Sequence, residues 1–203
     1  MGFALEHVWI VAPDRDMALS RLAAATGLPV QAGWSPGGRV RSRGVRFANG
    51  PFLDVHGPES GEGALVLLRG RIAEAETLAA ARGWAAKTLR RQLASAEARP
   101  PWSMLMFRRG QGALSQVAVI EYEVDPRGYA VAEYAGPLFW LDSAPAAGPR
   151  LARVRVGGPG GTLAALDCPG LSAGGDEGSV RIEVTGADAA SLRIGPVEVA
   201  FDG

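Results

Sequence analysis

The chain has 203 residues, 21 basic and 21 acidic side chains, two histidines and one cysteine. Zero net charge offers no footprint for neutralising phosphates or anionic lipid, so neither nucleic acid nor a membrane is an expected partner. The lone thiol, Cys168, excludes an intrachain disulfide framework and any multi-thiolate metal site. Hydrophobic residues at 47% can fill a core, while 28 glycines and 14 prolines point to short elements joined by turns. No basic stretch precedes an apolar one near Met1, and no run of about 18 apolar residues occurs, which makes a cytoplasmic protein the expectation.

In chain order, residues 5–12 are rich in β-branched and aromatic side chains and read as a buried strand. Pro13-Asp14 ends it. Asp14 can cap a helix in which Met17, Ala18, Leu22 and Ala25 recur at helical spacing, with Gly27 where a helix stops. Residues 39–48 and 51–56 read as further strands joined at Asn49-Gly50, a two-residue hairpin signal. Residues 1–58 thus spell one βαβββ module.

A looser second copy fits residues 60–125. Residues 64–69 are strand-like, residues 71–82 carry Ile72, Ala75, Leu78 and Ala79 on one helical face, and strands return at 103–108 and 116–124. The stretch 85–101 reads as helical or irregular. A connection over 126–149 leads to a third, shortened unit at 150–203, with strands at 151–156, 179–184, 190–194 and 197–201 and a brief helix at 161–167. Two internal echoes accompany it: Leu5-Glu6-His7-Val8 against Leu151-Ala152-Arg153-Val154, and Gly50-Pro51 against Gly195-Pro196, each ahead of a strand. The fold class expected is α+β, with repeated βαβββ modules forming a curved mixed sheet around a cleft, in one compact domain.

A strand carrying His7, then Pro13-Asp14, a helix closing in Gly27-Leu28 and a later strand with a central carboxylate resemble the vicinal oxygen chelate superfamily. That group includes glyoxalase I, extradiol dioxygenases and bleomycin-resistance proteins, and the glyoxalase-like domains are its nearest members in flavour. The resemblance runs over residues 5–57 and weakens beyond. It implies paired modules around a cleft, each giving a metal ligand from its first strand and one from its last. His7 falls on the first-strand position, Asp54 on the last-strand position, and Glu121 on the last strand of the second module; a fourth ligand is missing. It also implies one divalent metal, Mn, Fe, Zn or Ni, in a lyase, isomerase or dioxygenase, with metal-free sequestering of a ligand as the alternative. Such clefts are built within a chain or across a homodimer, and both stay open.

Strand parity gives an independent reading. Residues i and i+2 share a face, so His7 lies with Trp9, Asp54 with Phe52 and His56, and Glu121 with Val119 and Glu123. If those faces meet, imidazole and carboxylates form a Lewis-acid site, with Asp54 or Glu121 as general base. For His7 the alternative is a hydrogen-bonded core histidine; for Glu121 it is a solvated edge. Asp54, flanked by Phe52, Leu53 and Val55, must be paired or functional, because burying a lone carboxylate is costly. Arg39, Arg41 and Arg43 share a face and could clamp an anionic substrate beside Trp9 and His56, or merely protect an edge strand; Arg46 has the opposite parity. The expected function is therefore action on, or binding of, a small organic molecule.

Overall fold

The computed structural model describes residues 2–32, 42–90, 102–122, 147–159 and 161–203. Strand β1 (Ala4–Val11) is followed by helix α1 (Arg15–Thr26), then β2 (Gln31–Ala32), β3 (Ser42–Arg46) and β4 (Phe52–His56). The order repeats as β5 (Ala64–Arg69), α2 (Ile72–Arg82), β6 (Ala86–Arg90), β7 (Trp102–Phe107) and β8 (Val117–Tyr122). Asp14 caps α1 through Met17 N at 2.9 Å, and Gly27 and Gly83 close the two helices in left-handed conformations. The stretch expected to be helical or irregular is, over residues 86–90, the strand β6, paired antiparallel with β7. Burial rather than polarity alternates there, with Ala86 and Thr88 half-buried and Lys87 and Leu89 exposed, because β6 is an edge strand with only one face packed.

The two modules share one pairing rule. In each, the first strand lies parallel to the last (β1 with β4, β5 with β8) and the remaining strands add on antiparallel. The modules meet where β1 and β5 pair antiparallel, giving an eight-stranded sheet of order β2-β3-β4-β1-β5-β8-β7-β6. A register shift between Leu5 and His7 leaves Glu6 as an extra residue at that seam.

The remaining strands, β9 (Arg150–Val156), β10 (Leu171–Ala173), β11 (Val180–Thr185), β12 (Leu192–Ile194) and β13 (Val197–Asp202), form a second sheet of order β10-β9-β11-β13-β12. Here β9 is parallel to β10, β11 is parallel to β13, and β9 meets β11 antiparallel. That is the pairing of two abbreviated modules rather than one. A single 3₁₀ turn at Leu163–Leu166 stands where the first half would carry its helix.

The small sheet packs on the helix side of the large one. Val8, Ile10, Leu53, Val55, Val66, Leu68, Val117 and Val119 share one apolar cluster with Leu19 and Leu22 of α1, Ala75 and Ala79 of α2, and Val154, Ile182, Val184, Val197 and Val199 of the small sheet. The Asn49-Gly50 turn is part of this joint. The Asn49 carboxamide donates to Leu151 O at 2.8 Å and accepts from Leu151 N at 3.0 Å, and Ala48 N donates to Pro149 O at 3.0 Å. The echoed turn at Gly195, with φ +53°, lies so close to β1 that a Cβ would collide with the Val11 carbonyl oxygen. The glycine cluster after β9 has a packing role too: a side chain at Gly157 would strike the Asp176 carbonyl.

Candidate functional site

Because helices and the small sheet occupy one face of the large sheet, the alternate side chains emerge on the other. β1 puts His7 and Trp9 there, β4 puts Phe52, Asp54 and His56, and β3 puts Arg46, since Val8, Ile10, Val45, Leu53 and Val55 belong to the core. Register aligns them in rows. His7 pairs with Phe52 and Phe52 with Arg46; Trp9 pairs with Asp54 and Asp54 with Gly44. The His7 ring stacks on Phe52 with centroids 4.5 Å apart at 12°, and the Arg46 guanidinium stands 5.3 Å from the Phe52 centroid.

The ionisable pair spans the second row and the next one along β4. His56 Nε2 and Asp54 Oδ2 are 3.1 Å apart, and His56 Nδ1 is 3.3 Å from Ser60 Oγ. Trp9 walls this pair, its ring 5.4 Å from that of His56. Both partners are mostly buried, with 15% and 14% of the side chains exposed. Asp54 Oδ1 and His7 Nδ1 are buried without a hydrogen-bond partner among the described residues. Burial holds the His7 imidazole down at about 4, although nearby Asp54 pulls the other way, so the ring is neutral at neutral pH.

At the seam, the bulge brings Glu6 into electrostatic reach of Arg69 and Arg46. Burial raises its carboxyl pKa, and the two guanidinium groups partly offset that rise. Arg69 also lies 5.9 Å from the Tyr122 ring centroid, and burial, with Glu6 and Asp54 adding to it, pushes the Tyr122 hydroxyl well above its ordinary range. From His7 the rows continue into apolar territory. His7 pairs with Leu67, Leu67 with Ala118, and Ala118 with Met106, while Ile120 pairs with Met104.

No protein-family model and no curated relative matches the sequence. Among solved structures, a hypothetical protein from Staphylococcus aureus matches over 100% of this chain and 99% of its own, with a TM-score of 0.60 at 8% identity. That likeness shows the fold. Methylmalonyl-CoA epimerases align less well: one from Streptomyces coelicolor gives a TM-score of 0.41 at 12% identity over 59% of this chain, and another gives 0.43 at 11% over 61%. They cover 97% of those chains.

The expected residues divide by face. His7 stacks on Phe52, and Trp9, Asp54 and His56 come together, on the face that strand parity gave them. Glu121 does not join them. It shares parity with the core residues Val117 and Val119, and its Oε2 accepts the Ile72 N–H at 2.8 Å, satisfying the first turn of α2, whose own N-cap position is Arg71. Glu121 is thus corrected from metal ligand or base to helix cap. Arg43 likewise turns to the helix side, where Nη1 meets Asp16 Oδ1 at 3.0 Å. Arg39, Arg41 and Glu123 lie outside the described residues.

Among the described residues, no three His, Cys, Asp or Glu side chains gather as a metal-binding group. Having lost Glu121 to the other face, the donor set expected for a divalent metal does not fit one. Burial pushes the Cys168 thiol up to about 11, so it is protonated at neutral pH. No helix among the described residues is long and apolar enough to cross a membrane.

Parity alone could have found Arg46 and Tyr122. Glu6 had no such signal, because simple alternation puts it opposite His7 and only the bulge brings it round.

Proposed function

We propose that the chain binds a small organic molecule against the helix-free face of its large sheet, and that the Asp54-His56 pair moves a proton on that molecule. The observation that carries this reading is Asp54 itself. It sits in the middle of a strand, with one oxygen held by His56 and the other buried and unpartnered beside the Trp9 wall. A buried carboxylate oxygen without a donor costs about 1–3 kcal/mol, a cost that binding a donor would relieve. In this reading Asp54 Oδ1 accepts a proton from a ligand C–H or O–H. His56, held between Asp54 and Ser60, keeps the carboxylate oriented and spreads its charge. This is glyoxalase-like proton chemistry without a step routed through a metal, in line with the resemblance of the first module.

Sequestering without turnover is the second reading, favoured by the commitment of Glu121 to α2, which leaves the described face without the second carboxylate expected there. Both readings are tested by a fragment screen followed through the Trp9 indole N–H and the His56 ring resonances, with and without a chelator. Shifts at both that persist under chelation and disappear in Asp54→Ala support the site. If no fragment moves Trp9 or His56, or if every response vanishes on chelation, the reading fails. Turnover of a bound compound then separates catalysis from sequestering.

A further inference from the structure

On the opposite side of the large sheet from Asp54, the joint between α1 and the small sheet leaves a cleft of about 270 Å³, close to the small end of ligand pockets at about 300 Å³. One wall is Asp14 with Met17, Ala18 and Arg21 of α1, positions three or four apart and so aligned along one side of the helix. The other wall is the edge strand β12 and the Gly195 turn that closes on Val11. Buried Ala12, Ala18 and Ile194 make the floor apolar. Met17 also lines the cleft, yet it is 55% exposed, the most exposed large hydrophobic side chain among the described residues. An unbranched thioether in that place is free to fold over an apolar body that enters.

Arg21 and Arg193 line the same cleft, and neither guanidinium has an ion pair or a hydrogen-bond partner among the described residues. The sequence accounts for this. The neighbours of Arg21 at helical spacing are Met17, Ala18, Ala24 and Ala25, none of them acidic. Arg193 stands across the ladder from Glu198, but Arg181 holds that carboxylate at 2.8 Å. Asp16, close by on α1, is engaged by Arg15 and Arg43. The carboxylate in the lining, Asp14, caps the helix through Met17 N and lies two helical turns from Arg21, about 10 Å along the axis.

We propose that this cleft is a second binding site, for a small monoanion with an apolar body. The ligand's carboxylate pairs with Arg21 and Arg193, and its hydrocarbon lies on Ala12, Ala18 and Ile194 beneath Met17. Arginine suits the task because its planar fork offers paired N–H donors to a carboxylate. Asp14 at the far end repels a second negative charge, which limits the ligand to one.

Four probes of one chain length test this by chemical-shift titration of the full chain: hexanoate, hexan-1-ol, hexylamine and adipate. Hexanoate should shift the Met17 methyl and the Arg21 and Arg193 side-chain N–H signals, and leave the His56 ring still. It should bind about 5- to 10-fold more tightly than hexan-1-ol, the worth of partly exposed charged pairs. It should also bind more tightly than hexylamine, which the arginines repel, and adipate, whose second carboxylate would lie on the apolar floor toward Asp14. Both arginines are exposed, so Arg21→Gln with Arg193→Gln keeps the fold, checked by the amide spectrum, while the preference for hexanoate over hexan-1-ol falls to near unity. Met17→Ser should weaken hexanoate and hexan-1-ol alike. Equal binding of hexanoate and the alcohol, tighter binding of adipate or the amine, or a preference that survives the double variant overturns the proposal. A response at His56 in place of Met17, or none to any probe, overturns it too and leaves the Asp54 reading to its own test.

Discussion

His7 is a buried, neutral imidazole, and its burial couples folding to pH. The unfolded chain takes up a proton below about 6.5, whereas the folded ring resists until about 4. Stability from this residue is therefore complete above pH 6.5 and falls as pH drops through that window, by about 3 kcal/mol at its lower end. Urea titrations at pH 7 and pH 4.5 should show this loss, and His7→Phe should flatten the part of the slope that His7 contributes. An unchanged slope would mean the ring is not desolvated. Asp54 contributes to function rather than to folding. Since one of its oxygens is unpartnered, Asp54→Asn should leave thermal stability within about 1 kcal/mol of the native protein while weakening ligand binding, the trade expected of a residue kept for function.

Among the elements, α2 depends on a residue 49 positions away in sequence, because Arg71 gives it no side-chain cap and Glu121 supplies one from β8. Glu121→Ala should cost about 1–2 kcal/mol by chemical denaturation and leave the Trp9 and His56 responses to ligand unchanged. Loss of binding in that variant would return Glu121 to the site. The β3-β4 turn has a similar double duty. Asn49-Gly50 was legible as a hairpin, but nothing local in the sequence indicates that the Asn49 carboxamide also holds both backbone groups of Leu151. Asn49→Ala should therefore destabilise by about 1–2 kcal/mol, more than a turn residue would lose by propensity. Hydrogen exchange should show the opening concentrated at the start of β9.

For the molecule as a whole, the joint between the two sheets is the feature with most leverage. Gly195 meets it with a left-handed backbone and no room for a Cβ against Val11. Gly195→Ala should lower stability by about 2–3 kcal/mol or more, since strain and collision add. The same packing sets the two faces of the large sheet apart. The small sheet completes the core beside α1 and α2, so it does not cover the side on which Trp9, Asp54 and His56 emerge.

Local chemistry determined the modules. Asp14 and Gly27 bracket α1, the β-branched runs give β1, β4, β5 and β8, and period-two alternation places His7, Trp9, Asp54 and His56 on one face, because a strand's side chains alternate whatever surrounds it. Which face each strand of the second module turns to the core was not local information. Glu121 of β8 went to the helix side, as did Arg43 of β3 in the first module, because parity there is counted from partners across the sheet. Glu6 was brought toward Arg46 and Arg69 by a bulge that exists only in the β1-β5 pairing. The pairing of β9 to β13 as two reduced modules was likewise settled by hydrogen bonds between distant strands. Sequence period specifies alternation; only tertiary packing decides which of the two alternating faces meets the helices and the small sheet.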